Sequence, residues 1–318
     1  MKATARPRAD ATITLADGRT LAYCEWGNPT GFPVLLVHGG PGSRLLCPDQ
    51  DATAAAGVRL LTVDRPGYGG SDRRPDPTLF GWADDVQALA DGLGLERLAV
   101  VGFSAGGGYA LACAAGMPER ISAVGLVCCE GPYDQVPGAW QELTPEEQRL
   151  FERIRRDPVA ARGAVAGHVG WYQDPDSIWA WEVGAVDVPI PPAVDVPILT
   201  RPDVRDALTQ MWREGARQGV GGLVDEWIAL SLPWGFDLTQ VKVPVAVWHG
   251  ELDDMVGPAH GRFFAAVLPN ARLVLYPEEG HLVVLQHWSE ILAGVTARAE
   301  SKDPAGGRPA QGGEAAPQ

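Results

Sequence analysis

No stretch of this chain approaches the ~18 consecutive apolar residues of a membrane-spanning helix. Positive charge is in deficit: 26 Lys and Arg stand against 40 Asp and Glu, a formal net charge of −14. A phosphate backbone or an anionic bilayer repels such a chain, so neither nucleic acid nor a membrane surface is an expected partner. Cysteine is sparse. Cys24, Cys47, Cys113, Cys128 and Cys129 follow neither a metal-ligand nor a disulfide-framework spacing. They read as small buried side chains in a reducing compartment, with no metal and no cofactor expected. Lys2, Arg6 and Arg8 have no apolar run behind them, so no secretory leader is expected and the expected location is cytoplasmic. Low hydrophobicity is also absent: 46% of 318 residues are apolar, enough for one large domain carrying an inserted one.

The most informative segment is Gly102-Phe103-Ser104-Ala105-Gly106. It lies between the apolar run 98–101 and the small-residue run 107–116, which predicts a strand, a tight turn and a helix. A serine at such a turn takes a strained backbone conformation and projects its hydroxyl above the sheet. The flanking glycines leave room where a Cβ would collide with a neighbouring element. The helix N-terminus behind the serine aims free N–H groups and a positive dipole end at an oxyanion.

Three further elements follow the same logic. His38-Gly39-Gly40-Pro41-Gly42 comes directly after the strand-like run 33–37. A glycine-rich loop in that place supplies one oxyanion donor, and the residue after the nucleophile supplies the other. Pro41 has no N–H, so the candidates are Gly40 and Ala105. Gly250-Glu251-Leu252-Asp253-Asp254 ends the run 243–248 and offers a carboxylate to orient a histidine. Gly280-His281 follows the run 272–276 and offers a base that works near neutrality. His38, His168, His249, His260 and His287 lack the strand-end position or the order, and read as structural or surface groups.

With these segments the chain resembles the α/β-hydrolase superfamily over about residues 11–298. Ser104, Asp253 and His281 stand in that superfamily's order of nucleophile, acid and base. The resemblance selects Asp253 over Asp254, three residues after Gly250, and leaves Glu130 as an alternative acid after the sixth strand. Residues 63–72 match a structural loop of the family, with Asp64 and Arg65 tying it down. Haloalkane dehalogenases and epoxide hydrolases use an aspartate nucleophile, so a serine disfavours their chemistry. The His-Gly-Gly-Pro-Gly loop is similar to that of prolyl iminopeptidases, whose elbow carries a tryptophan where this chain has Ala105. Gly-Phe-Ser-Ala-Gly-Gly is more similar to esterases, lactonases and cofactor-free perhydrolases.

The expected architecture is an eight-stranded, mostly parallel sheet with helices on both faces, opened by an antiparallel hairpin at Asp17-Gly18. Residues 11–130 and 236–298 form the expected core, and residues 131–235 an expected helical cap. The stretches 1–10 and 299–318 are expected to be disordered. Seven of the 11 tryptophans fall in the cap interval: Trp140, Trp171, Trp179, Trp181, Trp212, Trp227 and Trp234. Most of them suit the cap's own core, and a minority lining a cleft favours an apolar or aromatic substrate group. The proline-rich residues 186–197 are expected to be extended or irregular.

The resulting expectation is a serine hydrolase of carboxylic esters or related acyl compounds. Two alternatives stand beside it. One is a prolyl-type aminopeptidase, which needs a cap carboxylate such as Glu142, Glu182, Glu214 or Glu226. The other is a small-molecule binding protein or receptor on the same scaffold.

Overall fold

A computed structural model describes residues 6–174 and 193–297. Eight strands form one sheet: β1 (Ala9–Thr14), β2 (Thr20–Gly27), β3 (Pro33–Val37), β4 (Arg59–Val63), β5 (Leu98–Phe103), β6 (Ile121–Val127), β7 (Val245–Gly250) and β8 (Ala271–Tyr276). Their order is β1-β2-β4-β3-β5-β6-β7-β8. The β1/β2 and β2/β4 pairs are antiparallel, and every pair from β4 to β8 is parallel.

Parallel strands covered on both faces must be apolar at consecutive positions, because successive side chains point to opposite sides. The run Pro33–Val37 shows this. Leu35 and Val37 join a core with Trp82, Val100, Leu111, Leu126, Val247 and Phe264. Val34 and Leu36 join the opposite core with Leu60, Val101, Trp248, Trp288 and Ile291. Helices α2 (Leu79–Gly92), α3 (Gly106–Gly116) and α10 (Pro258–Val267) supply the first core. Helices α1 (Gln50–Ala55), α11 (Val283–Gln286) and α12 (Trp288–Thr296) border the second.

Between β6 and β7 the described residues contain helices and no strand: α4 (Ala139–Glu142), α5 (Pro145–Arg156), α6 (Pro158–Val169), α7 (Val196–Leu199), α8 (Pro202–Gly215) and α9 (Gly221–Ser231). Helix α5 begins with a complete capping box. The Thr144 hydroxyl accepts from Glu147 N at 3.2 Å, and the Glu147 carboxylate accepts from Thr144 N at 2.8 Å. Leu150, Ile154, Val165, Val169, Leu223 and Ile228 form a small core of these helices' own.

Several boundaries differ from the sequence reading. Strand β1 starts at Ala9, and Asp10 accepts from Arg44 Nε at 2.8 Å, so residues 9 and 10 are anchored rather than disordered. Helix α1 was not expected: its six residues carry too short a periodic pattern, and Asp49 caps it by accepting from Ala52 N at 2.9 Å. The helical pattern of residues 282–298 is broken at His287 into α11 and α12. At the end of the proline-rich stretch, residues 196 and 197 open the helical turn Val196–Leu199, because Pro197 falls in its first turn, where a missing N–H costs nothing. Residues 186–192, Trp179, Trp181, Glu182 and the two terminal stretches 1–5 and 298–318 lie outside the described residues.

Candidate active site

Ser104 sits between β5 and α3 with φ at +53°, a left-handed conformation rare for a residue with a side chain. Its surroundings account for the glycines. A Cβ on Gly102 would stand 2.6 Å from Gly106 O, and one on Gly106 would stand 2.4 Å from Val37 O. Both clashes are with backbone, so neither position has room for alanine. Ser104 N donates to Val127 O at 3.0 Å, which ties the turn to the neighbouring strand.

The glycine-rich loop after β3 lies against the same turn. A Cβ on Gly39 would come 2.9 Å from Ser104 Cβ. Among the described residues, the N–H groups of Gly40 and Ala105 donate to no protein acceptor. His38 at the loop's start is buried. Burial and the charge of Arg65 push its pKa well below the ordinary histidine value, so it is neutral.

His281 and Asp253 come together at the ends of β8 and β7. His281 Nδ1 donates to Asp253 Oδ2 at 2.8 Å. Asp253 Oδ1 accepts from Met255 N at 3.1 Å and Val256 N at 2.9 Å. Burial alone would raise this carboxyl, but His281 and His249 outweigh it and hold it well below the usual carboxylate range. Asp254 is exposed. Glu130 ends up in the same neighbourhood without bonding His281. Burial first, then the charge of Glu226, pushes its carboxyl up to about 7, against the pull of His281 and Arg65.

Ser104 and His281 face one cleft enclosing about 760 Å³, part of it open to solvent. Its walls are mostly apolar: Leu46 and Phe103 from the sheet side, Leu199, Leu208, Met211 and Trp212 from the inserted helices, and Leu282 and Leu285 beyond His281. Of the described interval tryptophans, only Trp212 lines it. Trp140 and Trp227 pack on Phe151, Trp171 stacks on Tyr172, and Trp234 packs on Phe236 and Phe264.

The carboxylates weighed for an ammonium site scatter. Glu142 is half exposed and lies 3.7 Å from His260. Glu214 pairs with Arg44 at 2.6 Å and Arg217 at 3.2 Å. Of the three that are described, Glu226 reaches the loop: its Oε1 would stand 1.9 Å from a Cβ on Gly40. Its other oxygen pairs with Arg65 and accepts from the Tyr68 hydroxyl at 3.1 Å. Arg65 thus reaches from its own loop to Glu226 and, at 3.0 Å, to Gly39 O, while Asp64 ties the loop itself, accepting from Arg44 N at 2.6 Å and Gly70 N at 2.8 Å.

One group of metal-ligating types clusters among the described residues: Cys128, His249 and Asp253, all buried. Its donors are committed elsewhere. Asp253 holds His281, and His249 Nε2 donates to Val256 O at 2.7 Å.

The sequence profile of the alpha/beta hydrolase fold matches residues 33–287, and the chain belongs to that family. It is a hydrolase of this fold. A non-heme chloroperoxidase of Streptomyces lividans is 28% identical over 285 residues, covering 87% of this chain and 94% of that protein. A bifunctional esterase/perhydrolase of Acinetobacter calcoaceticus is 27% identical over 281 residues, covering 85% and 92%. Among solved structures, a thermophilic esterase from Thermogutta terrifontis superposes with a TM-score of 0.66 at 23% identity, over 92% of this chain and 98% of that one. No helix among the described residues is long and apolar enough to cross a membrane.

Proposed function

We propose that this hydrolase cleaves carboxylic esters through an acyl-enzyme on Ser104. The observation that carries the reading is the His281–Asp253 bond of 2.8 Å at the mouth of the cleft that Ser104 lines. Ser104 Oγ attacks the ester carbonyl while His281 Nε2, the ring nitrogen opposite the Asp253 bond, takes the hydroxyl proton. Asp253 fixes that tautomer and stabilises the imidazolium. The negative charge on the carbonyl oxygen is met by the N–H groups of Gly40 and Ala105. Collapse of the intermediate breaks the ester C–O bond, and His281 returns the proton to the leaving alkoxide. A water then gives its proton to His281, attacks the acyl carbon, and releases the acid and Ser104.

The inserted helices act as a cap over residues 131–235, and their apolar wall selects acyl groups with an apolar or aromatic part. The substrate is a small molecule, no metal or organic cofactor takes part, and the buried free cysteines suit the cytoplasm. A panel of p-nitrophenyl esters set against proline and alanine p-nitroanilides tests the reading. Ester turnover well above anilide turnover is expected. The reverse ranking supports the second reading, an aminopeptidase, which one observation favours: the Glu226 carboxylate beside Gly40.

A further inference from the structure

Asp195 lies one residue before α7, yet its side chain is part of the catalytic neighbourhood. It is 1% exposed and lines the cleft beside Ser104 and His281. One carboxylate oxygen, Oδ2, accepts from His281 N at 2.6 Å. The other, Oδ1, is buried and has no hydrogen-bond partner among the described residues. Apolar side chains, among them Leu199, Leu282 and Leu285, make up the adjacent wall. A buried acceptor left unmet in such a wall is destabilising, more so when it carries charge. Burial raises the Asp195 carboxyl above its ordinary value, while the bond from His281 N, the His281 ring and, more weakly, the nearby Leu282 N–H pull it down. The Oδ2 bond thus accounts for half of the side chain only.

We infer that Asp195 is a specificity-determining residue whose Oδ1 accepts a hydrogen bond from a hydroxyl or N–H on the substrate. This rests on the ester-hydrolase reading and narrows it: the natural acyl group is apolar apart from one hydrogen-bond donor, placed to meet Oδ1. A site built to hydrogen-bond a substrate donor discriminates strongly against analogues that lack it, because its own buried group is then left unpaired. Asp195 also joins the inserted helices to the backbone of the catalytic histidine, so the residue that reads the substrate holds the base as well.

The test uses polarity inversion. In Asp195→Asn the His281 N–H still demands an acceptor, so the new amide turns its oxygen there and presents NH₂ to the cleft. The cleft's acceptor becomes a donor with no change in shape. Methyl hexanoates bearing a hydroxyl at C2, C3, C5 or C6, each paired with its methyl ether, are compared by kcat/KM alongside unsubstituted methyl hexanoate. At one position the native protein should prefer the hydroxyl by about tenfold or more. Asp195→Asn should reverse that preference toward the ether, whatever its effect on the unsubstituted ester. Hydroxyl-to-ether ratios near one at every position, or equal losses for all esters in Asp195→Asn, overturn the inference. Calorimetric binding of the same set to Ser104→Ala reads the Asp195 contact without turnover. Failure of the hydrolase reading appears separately, as none of these esters being cleaved by the native protein.

Discussion

Asp253 and His281, 28 residues apart in the chain, meet at 2.8 Å beyond the ends of adjacent parallel strands. That pairing follows from topology. In such a sheet the carboxyl ends of β3, β5, β7 and β8 share one edge, so the loops after them converge whatever the sequence between them. Two backbone N–H groups fix Asp253 from behind, so its free oxygen has one direction to face.

Asp253→Asn should lower kcat by about 10⁴, because an amide there imposes the wrong imidazole tautomer. Asp254→Asn, at an exposed position, should change kcat less than twofold or so. Steady-state rates on one p-nitrophenyl ester compare the two. Equal losses, or a large loss in Glu130→Gln with Asp253→Asn silent, would place the acid elsewhere.

The depressed Asp253 carboxyl stays ionised across the range in which a histidine titrates. The rate should therefore rise with pH through one apparent ionisation, that of His281 losing its proton, with no second step on the acid side. Measuring kcat/KM from pH 4.5 to 9 checks this. A flat profile with chemistry rate-limiting contradicts His281 as the base.

Glu130 gives a stability prediction of opposite sign to an ordinary paired carboxylate. Its folded pKa of about 7 lies above the unfolded value. The stability it contributes is fully present below about pH 4.3 and is lost as pH rises through 7. Glu130→Gln should therefore gain on the native protein between pH 5 and pH 8, by on the order of 1–3 kcal/mol. Urea midpoints of both proteins at the two pH values test it. A difference independent of pH contradicts the assignment.

Gly102→Ala should unfold or strongly destabilise the protein, since its Cβ meets backbone at 2.6 Å and the Gly106 carbonyl cannot swing away like a side chain. Gly94→Ala is the comparison: its φ is +66° but nothing lies within 4 Å, so only backbone strain of about 1 kcal/mol applies. Thermal midpoints that fall equally in the two variants would show that the elbow tolerates a Cβ.

The sheet and its edge were legible because local signals carry them. Runs such as Val34–Val37 and Val245–Trp248 are apolar at consecutive positions, and glycine punctuates the turns. Ser104, Asp253 and His281 each lie just after such a run. What the sequence hid is what arrives from far away. Asp195 reaches His281 across 86 residues, and Arg65 reaches Glu226 across 161. No periodicity or turn motif marks either pair, and only packing of the inserted helices brings them together. Trp212 could not be told from Trp234 for the same reason: both are large residues at helical or loop positions, and just one faces the cleft.

The central claim is that Ser104 is an activated nucleophile, and covalent labelling tests it most directly. A small fluorophosphonate is added to the native protein, and the modified peptide is located by mass spectrometry. One adduct is expected, on Ser104, formed with loss of esterase activity, absent from Ser104→Ala and slowed by orders of magnitude in His281→Ala. An active protein that stays unlabelled, or one labelled elsewhere while Ser104→Ala still turns over esters, would contradict it.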